Sequence, residues 1–165
     1  MKGSNASHSF SVPMPTSAYF PVRLSALALL LLGACWPGPR IGDPINLDDP
    51  SVNPEQVPFS QIEAQIFARS CGTSSCHEGA SPRDAPMSLD IGRAYSNLVS
   101  VRAVQAPMPR VAKGDPSNSY LLYKLHGTAG TVTGIATRMP LNSPPLPPES
   151  LSAIEAWINR GAPND

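Results

Sequence analysis

Proline is the feature that most limits how this chain can fold. Twenty of the 165 residues are proline, and each one fixes a backbone angle and removes a hydrogen-bond donor, so helices and strands are interrupted. Only 6% of the residues are aromatic, although aromatic side chains usually dominate core burial. We therefore expect short elements joined by long loops around a thin side-chain core, which a buried apolar cofactor would complete.

The balance of charge excludes several classes of partner. Twelve basic residues are matched by twelve acidic ones, so the formal net charge is zero. No basic run indicates a nucleic-acid surface or direct adhesion to an anionic membrane. The sequence also offers no nucleophile triad, catalytic base or nucleotide loop, so we expect a protein that is not an enzyme.

An apolar run near the start of the chain predicts export. Residues 24–34, LSALALLLLGA, follow Arg23, and this length suits a signal peptide but falls short of the roughly 20 residues of a membrane span. The run ends in Leu32-Gly33-Ala34-Cys35, which resembles the lipobox of bacterial lipoproteins. An ordinary secretory signal with a chance cysteine is the alternative.

The lipobox resemblance implies that residues 1–34 are a lipoprotein signal peptide and that Cys35 carries a diacylglycerol. Either Met1 or Met14 could be the start. The mature protein would then be lipid-anchored in the cell envelope, facing the periplasm or the exterior, where cysteines can be oxidised or modified. Residues 36–57 contain five prolines and no apolar periodicity, so we interpret residues 35–57 as a lipidated N-terminus with a proline-rich tether.

Residues 58–165 are predicted to form one all-α domain of four short helices. Ser60 and Glu63 have the spacing of a capping box at the start of the first helix, and Ser117 or Asn118 would cap the third, which Gly127 stops. Gly161 stands at the usual stop position of the last helix. No segment alternates like a strand. The apolar residues that mark the helices are, in order, Ile62, Ile66 and Phe67; Leu89, Ile91, Ala94, Tyr95 and Leu98; Tyr120, Leu121, Leu122 and Leu125; and Leu151, Ile154, Trp157 and Ile158.

Residues 71–77, Cys-Gly-Thr-Ser-Ser-Cys-His, are the segment whose chemistry is most specific. Two thiols beside an imidazole can attach a c-type haem, since the thiols add to the porphyrin vinyl groups and the histidine binds the iron. The usual spacing is C-x-x-C-H, whereas four residues separate Cys71 from Cys76 here. Those four are small and polar, so a wider loop is sterically feasible. We predict one covalent haem c on Cys71 and Cys76, with His77 as an axial iron ligand.

Met139, in Arg138-Met139-Pro140, is the predicted second axial ligand. A thioether is a soft, neutral donor that raises the reduction potential relative to a second imidazole. Because Met139 precedes the closing helix, the chain could wrap the haem with one ligand on each side. Met87 and Met108, which also adjoin prolines, and His126 are the competing candidates.

These segments together resemble the class I cytochrome c family, and more closely the c-type cytochrome domains of exported planctomycete and myxobacterial proteins. In those domains a helix and a haem-attachment motif precede a "GDP..S.L..KL" segment, an "MP" segment and a closing helix ending "WI..GA". The likeness covers nearly all of residues 58–165. The matching residues are Cys71, Cys76 and His77; Gly114-Asp115-Pro116, Ser119, Leu121 and Lys124-Leu125; Met139-Pro140; and Trp157-Ile158 with Gly161-Ala162.

The resemblance implies a cytochrome c-like bundle of short helices with long Pro/Gly-rich loops around one haem, in which the first and last helices cross. It implies His77 as the proximal and Met139 as the distal ligand. The function implied is single-electron transfer between redox protein partners. Lys124 and Arg138 are then candidates to pair with the haem propionates, unless they are ordinary surface charges.

Other interpretations of the cysteine pair remain open. A Cys71–Cys76 disulfide would suit a haem-free envelope lipoprotein with a structural or binding role. A zinc site on Cys71, Cys76 and His77 would need a fourth ligand, and the sequence shows no evident one. A haem-based gas or redox sensor would need an open sixth position instead of a fixed Met139.

Overall fold

The structure, a computed structural model, describes residues 46–47, 49–79 and 87–165, all of them within the unit Pro39–Asp165. The predicted signal peptide, residues 1–34, and the predicted lipidation site, Cys35, lie outside these residues. The described part is all-α, as predicted, because its β pairing is limited to isolated bridges. Its α-helices are α1 (Phe59–Ile62), α2 (Ala68–Ser70), α3 (Ala94–Leu98), α4 (Tyr120–His126) and α5 (Pro148–Asn159).

A π-helical segment, Glu63–Phe67, joins α1 to α2, so that residues 59–70 form one continuous N-terminal helix. Short 3-10 helices at Pro54–Gln56, Pro116–Asn118 and Ala129–Val132 complete the regular structure. Among the described residues, no helix has both the length and the apolar character needed to cross a membrane.

The N-terminal helix packs against α5 through a cluster of aromatic rings. The Phe59 ring centroid lies 4.9 Å from that of Trp157 and 5.4 Å from that of Tyr95. Trp157 is fully buried, and aromatic pairs add about 0.5–1.5 kcal/mol beyond the burial of their area. The predicted contact between the first and last helices is therefore observed. The same core cluster contains the isoleucines that mark the first and last helices in the sequence, Ile62, Ile66, Ile154 and Ile158.

The chain after α5 folds back over this core. Gly161 adopts a left-handed φ of 94° and ends the helix, as its position in the sequence predicted. The Trp157 indole N–H then donates to the carbonyl of Pro163 at 2.8 Å. This tail returns the chain to the beginning of the N-terminal helix.

The predicted Ser60–Glu63 capping box is wrong, since Ser60 makes no side-chain cap. Asp165 serves the first turn instead, because its carboxylate accepts the Phe59 N–H at 2.6 Å and its carbonyl accepts the Ser60 N–H at 2.9 Å. The Glu63 carboxylate is buried and accepts the Ala94 N–H at 3.1 Å, at the start of α3. The first turns of the N-terminal helix and of α3 are thus both capped by residues distant in sequence.

The second and third helices are shorter than predicted. Gly92 has a φ of 79°, which ends any helical run from Leu89, and α3 begins only at Ala94. Asn118 does not cap the third helix; its N–H is accepted by the Asp115 carboxylate in the preceding 3-10 turn. α4 starts at Tyr120 and ends at Gly127 with a φ of 73°, in line with the predicted stop.

Packing begins before Pro58, the predicted first residue of the domain. Val57 is buried in the core. The Arg160 guanidinium donates to the carbonyls of Glu55 and Val57 at 2.6 and 2.7 Å. The last residues of the predicted tether therefore belong to the packed domain, while residues 36–45 lie outside the described part of the chain.

Replacing Glu63 with alanine should destabilise the protein by about 1–3 kcal/mol, because the Ala94 N–H would lose its charged acceptor and keep only the Asp90 carbonyl at 3.2 Å, and hydrogen bonds to charged groups are the stronger ones. Glu63→Gln keeps an acceptor oxygen and should cost less. Urea unfolding measures both, with the exposed helical Glu155→Ala as the matched control. Equal midpoints for Glu63→Ala and Glu155→Ala would contradict the assigned cap.

Candidate functional site

The Cys71–His77 loop begins where the N-terminal helix ends. The N–H groups of Cys71 and Gly72 both donate to the Phe67 carbonyl, at 2.9 and 2.7 Å, so the helix end fixes the start of the loop. Phe67 has no exposed surface. The aromatic core that orients the helix therefore also places Cys71.

The four residues between the cysteines are absorbed by a turn. The Cys76 N–H donates to the Thr73 carbonyl at 2.8 Å, and the His77 N–H returns to the Cys71 carbonyl at 3.1 Å. A side chain at Gly72 would place its Cβ 2.9 Å from the Leu89 carbonyl oxygen, so only glycine permits this close approach. The wider spacing thus remains compatible with two thiols and an imidazole on one side of the loop.

A cavity of about 690 Å³ lies against this loop. Its volume falls within the roughly 300–1,000 Å³ typical of small-molecule sites. All four predicted haem residues, Cys71, Cys76, His77 and Met139, line it. Aliphatic side chains form much of the remaining wall, among them Leu89, Leu98, Leu121 and Leu125.

A backbone carbonyl orients the His77 ring. Nδ1 of His77 lies 3.1 Å from the Met87 carbonyl oxygen, which can only accept, so Nδ1 carries the proton and Nε2 keeps its lone pair. Metal-binding histidines are commonly held in this way. Burial lowers the pKa of His77, outweighing the hydrogen bond to Met87, which favours the charged form. The ring is therefore neutral and ready to donate from Nε2.

The two thiols differ in environment. Burial, with a smaller contribution from neighbouring Cys76, raises the pKa of Cys71 to about 11. Hydrogen bonds to the Thr73 and Ser75 side chains lower the pKa of the more exposed Cys76. Both cysteines are free thiols, and no disulfide joins them. Cys76 is consequently the more reactive of the pair near neutral pH.

The candidates for a second axial ligand are separated by position. Met139 and Met87 line the cavity, whereas neither Met108 nor His126 is among its lining residues. Met108 packs on a separate small cluster with Tyr120, and His126 is exposed. The Met87 carbonyl contacts Nδ1 of His77, whereas Met139 reaches the cavity from a segment that is remote in sequence.

Two cations line the cavity, and both have neutral partners. The Arg110 guanidinium donates to the Asn97 carbonyl at 2.7 Å, and the Lys124 ammonium donates to the Ile135 carbonyl at 3.0 Å. Burial lowers the pKa of each group, as expected for charges without a counter-charge. The sequence had suggested Lys124 and Arg138; Lys124 lines the cavity, but Arg138 does not.

Arg110 and the Met87 carbonyl were both missed from sequence. Arg110 lies in an irregular loop with no motif around it, and a backbone carbonyl leaves no trace in the residue type. Within residues 46–47, 49–79 and 87–165, no group of three or more His, Cys, Asp and Glu residues is arranged to hold a metal ion.

Gly72→Ala should destabilise the protein by about 1–3 kcal/mol, the usual cost of forcing extra volume into a packed site. The added methyl would press on the Leu89 backbone, which cannot rotate away. Ser74→Ala, at an exposed position of the same loop, is the control. Urea midpoints report both changes, and a Gly72→Ala midpoint equal to that of the wild type would refute the close approach.

Searches with protein-family models, against curated proteins and against solved structures found no match to this chain.

Proposed function

We propose that this protein is a membrane-tethered monohaem c-type cytochrome that transfers single electrons. The observation that supports the proposal most directly is that Cys71, Cys76, His77 and Met139 line one cavity, although Met139 is remote from the other three in sequence. A bound haem would supply the one-electron couple of its iron. The protein would supply attachment, axial ligands and burial.

The lining of the cavity suits a flat, mostly apolar group that carries two carboxylates. Leucines form much of the wall, and Arg110 and Lys124 bring two positive charges to it. A guanidinium has five N–H donors, and the Asn97 carbonyl engages only part of the Arg110 group. Arg110 is accordingly the stronger candidate to pair with a carboxylate.

Each of the four site residues has a distinct role in the proposal. Cys71 and Cys76 hold the cofactor edge through sulfur, from a loop fixed to the end of the N-terminal helix. His77 offers Nε2 to the iron, because the Met87 carbonyl keeps the proton on Nδ1. Met139 offers a thioether from a different segment, which favours a raised reduction potential.

The location and partners follow from the N-terminal sequence. A lipid on Cys35 would hold the domain at a membrane of the cell envelope, on the periplasmic or exterior side. The tether would let the domain reach redox proteins near that membrane. Without residues 1–34, which include Lys2 and Arg23, ten basic and twelve acidic residues remain, a formal net charge of −2. With so small a net charge, association with such partners should depend little on long-range electrostatic steering.

The central test is the absorbance of the exported protein from a host with haem-attachment machinery. We expect a red protein with sharp bands on reduction, a haem retained after acid-acetone extraction, and an intact mass raised by one haem. Cys71→Ser with Cys76→Ser should lose the covalent haem, whereas Cys35→Ser should alter only lipidation. A colourless wild-type protein with Cys71 and Cys76 paired in a disulfide would overturn the proposal and favour a haem-free envelope lipoprotein.

A paired substitution tests the second ligand. Met139→Ala should abolish the charge-transfer band of an iron–thioether bond and lower the reduction potential, because the soft, neutral donor that favours ferrous iron would be lost. Met108→Ala, which removes the same side chain away from the cavity, should leave both unchanged. An unaltered spectrum for Met139→Ala would instead support a sensor with an open sixth position.

A further inference from the structure

Lys124 is the residue that ties α4 to the segment carrying Met139. It is only 8% exposed, although lysine is rarely buried without a specific reason. Its ammonium donates to the carbonyl oxygens of Ile135 and Thr137. Its own carbonyl accepts the Met139 N–H at 2.9 Å. One residue therefore contacts three positions of the segment 135–139.

The other hydrogen bonds of the segment are fewer: one joins the Tyr120 hydroxyl to the Ile135 backbone, and one joins the Arg138 guanidinium to the Ser143 carbonyl. Residues 133–147 contain no regular secondary structure, and Ile135, Ala136 and Thr137 are exposed. The Lys124 carbonyl lies in the last turn of α4, where it accepts only a long bond from the Gly127 N–H at 3.4 Å, so it can also accept the Met139 N–H. The ammonium has three N–H donors, and two backbone carbonyls engage it.

A neutral side chain could fill the same volume without the cost of burying a charge. The two backbone carbonyls that the Lys124 ammonium binds therefore account for a charge at this position. Each backbone carbonyl held by an ammonium makes a charge-assisted bond, which is stronger than a neutral one. Gly127 also lies close to this segment, since a Cβ added at Gly127 would lie 3.2 Å from the Cβ of Arg138.

We propose that Lys124 is a positioning residue that holds the 135–139 segment against α4 and thereby directs the Met139 thioether into the cavity. The inference rests on the proposed function for the role of Met139 as iron ligand. The hold on the segment itself is a property of the chain alone. These two parts can be tested separately.

The test compares Lys124→Met, which keeps an unbranched side chain but removes the donors, with Lys113→Met at an exposed lysine. In the haem-loaded protein, Lys124→Met should weaken the iron–thioether band and shift the reduction potential toward that of Met139→Ala. Haem content and far-ultraviolet circular dichroism should stay at wild-type levels. Lys113→Met should leave the band and the potential unchanged.

Hydrogen exchange of the amides in residues 135–139, on the protein as purified, gives a second measurement that does not depend on haem. Lys124→Met should speed exchange of the Met139 amide, which donates to the Lys124 carbonyl, by at least about tenfold, because the segment would open more often once the bonds to the ammonium are lost. Lys124→Gln keeps an N–H donor group on a shorter side chain and should have an intermediate effect. This variant replaces Lys124→Met in the test if Lys124→Met does not fold.

The outcomes separate the two proposals. A loaded Lys124→Met protein with the wild-type band and potential would overturn the positioning role while leaving the cytochrome proposal intact. A wild-type protein without haem would overturn the cytochrome proposal. Hydrogen exchange would then decide whether Lys124 holds the segment. Equal exchange rates in the wild type and in Lys124→Met would reject that role as well.

Discussion

The packing of Phe59 against Trp157 is the contact on which the rest of the domain depends. It fixes the N-terminal helix on α5, and the helix ends where the cysteine loop begins, so the position of the core sets the position of Cys71. The same contact explains why the C-terminal residues matter. Asp165 caps the first turn of the helix, and Trp157 holds the returning tail through Pro163. The two ends of the packed chain therefore stabilise one another.

The candidate site is assembled from segments that have little helix of their own. The cysteine loop is held by the helix before it and by Leu89, while the Met139 segment is bonded to Lys124 and Tyr120 of α4. Backbone groups make many of these contacts, which suits a chain whose prolines and glycines prevent long regular elements. A cavity built this way can keep thiols, an imidazole and a thioether on its wall while most of the surrounding loops stay at the surface.

The local electrostatics of the cavity come from one imidazole and two cations. A backbone carbonyl aligns the imidazole, and burial lowers the pKa of His77, while Arg110 and Lys124 have only neutral partners at the wall. Under the proposed function, the imidazole would bind the haem iron and Arg110 would pair with a carboxylate of the haem.

Much of the fold could be predicted from the sequence, and the failures have physical causes. The all-α class and the closing helix with its stop at Gly161 follow from periodicity and glycine placement, which are local properties. The contact between the first and last helices was expected from the family resemblance. The capping box failed because Ser60 and Glu63 found stronger distant partners in Asp165 and Ala94. The second helix was predicted to be too long, because Gly92, with its left-handed backbone, interrupts an apolar pattern that is continuous in the sequence.

The sequence by itself determined which chemical groups the chain offers: two thiols, an adjacent imidazole, and a methionine before the last helix. Only the tertiary structure decided that these groups share one cavity, that Met108 and His126 lie elsewhere, and that Arg110 joins the site. The reason is that residue type and spacing fix local geometry. The meeting of distant loops, in contrast, depends on how the helices pack and on backbone carbonyls that no side-chain pattern reveals.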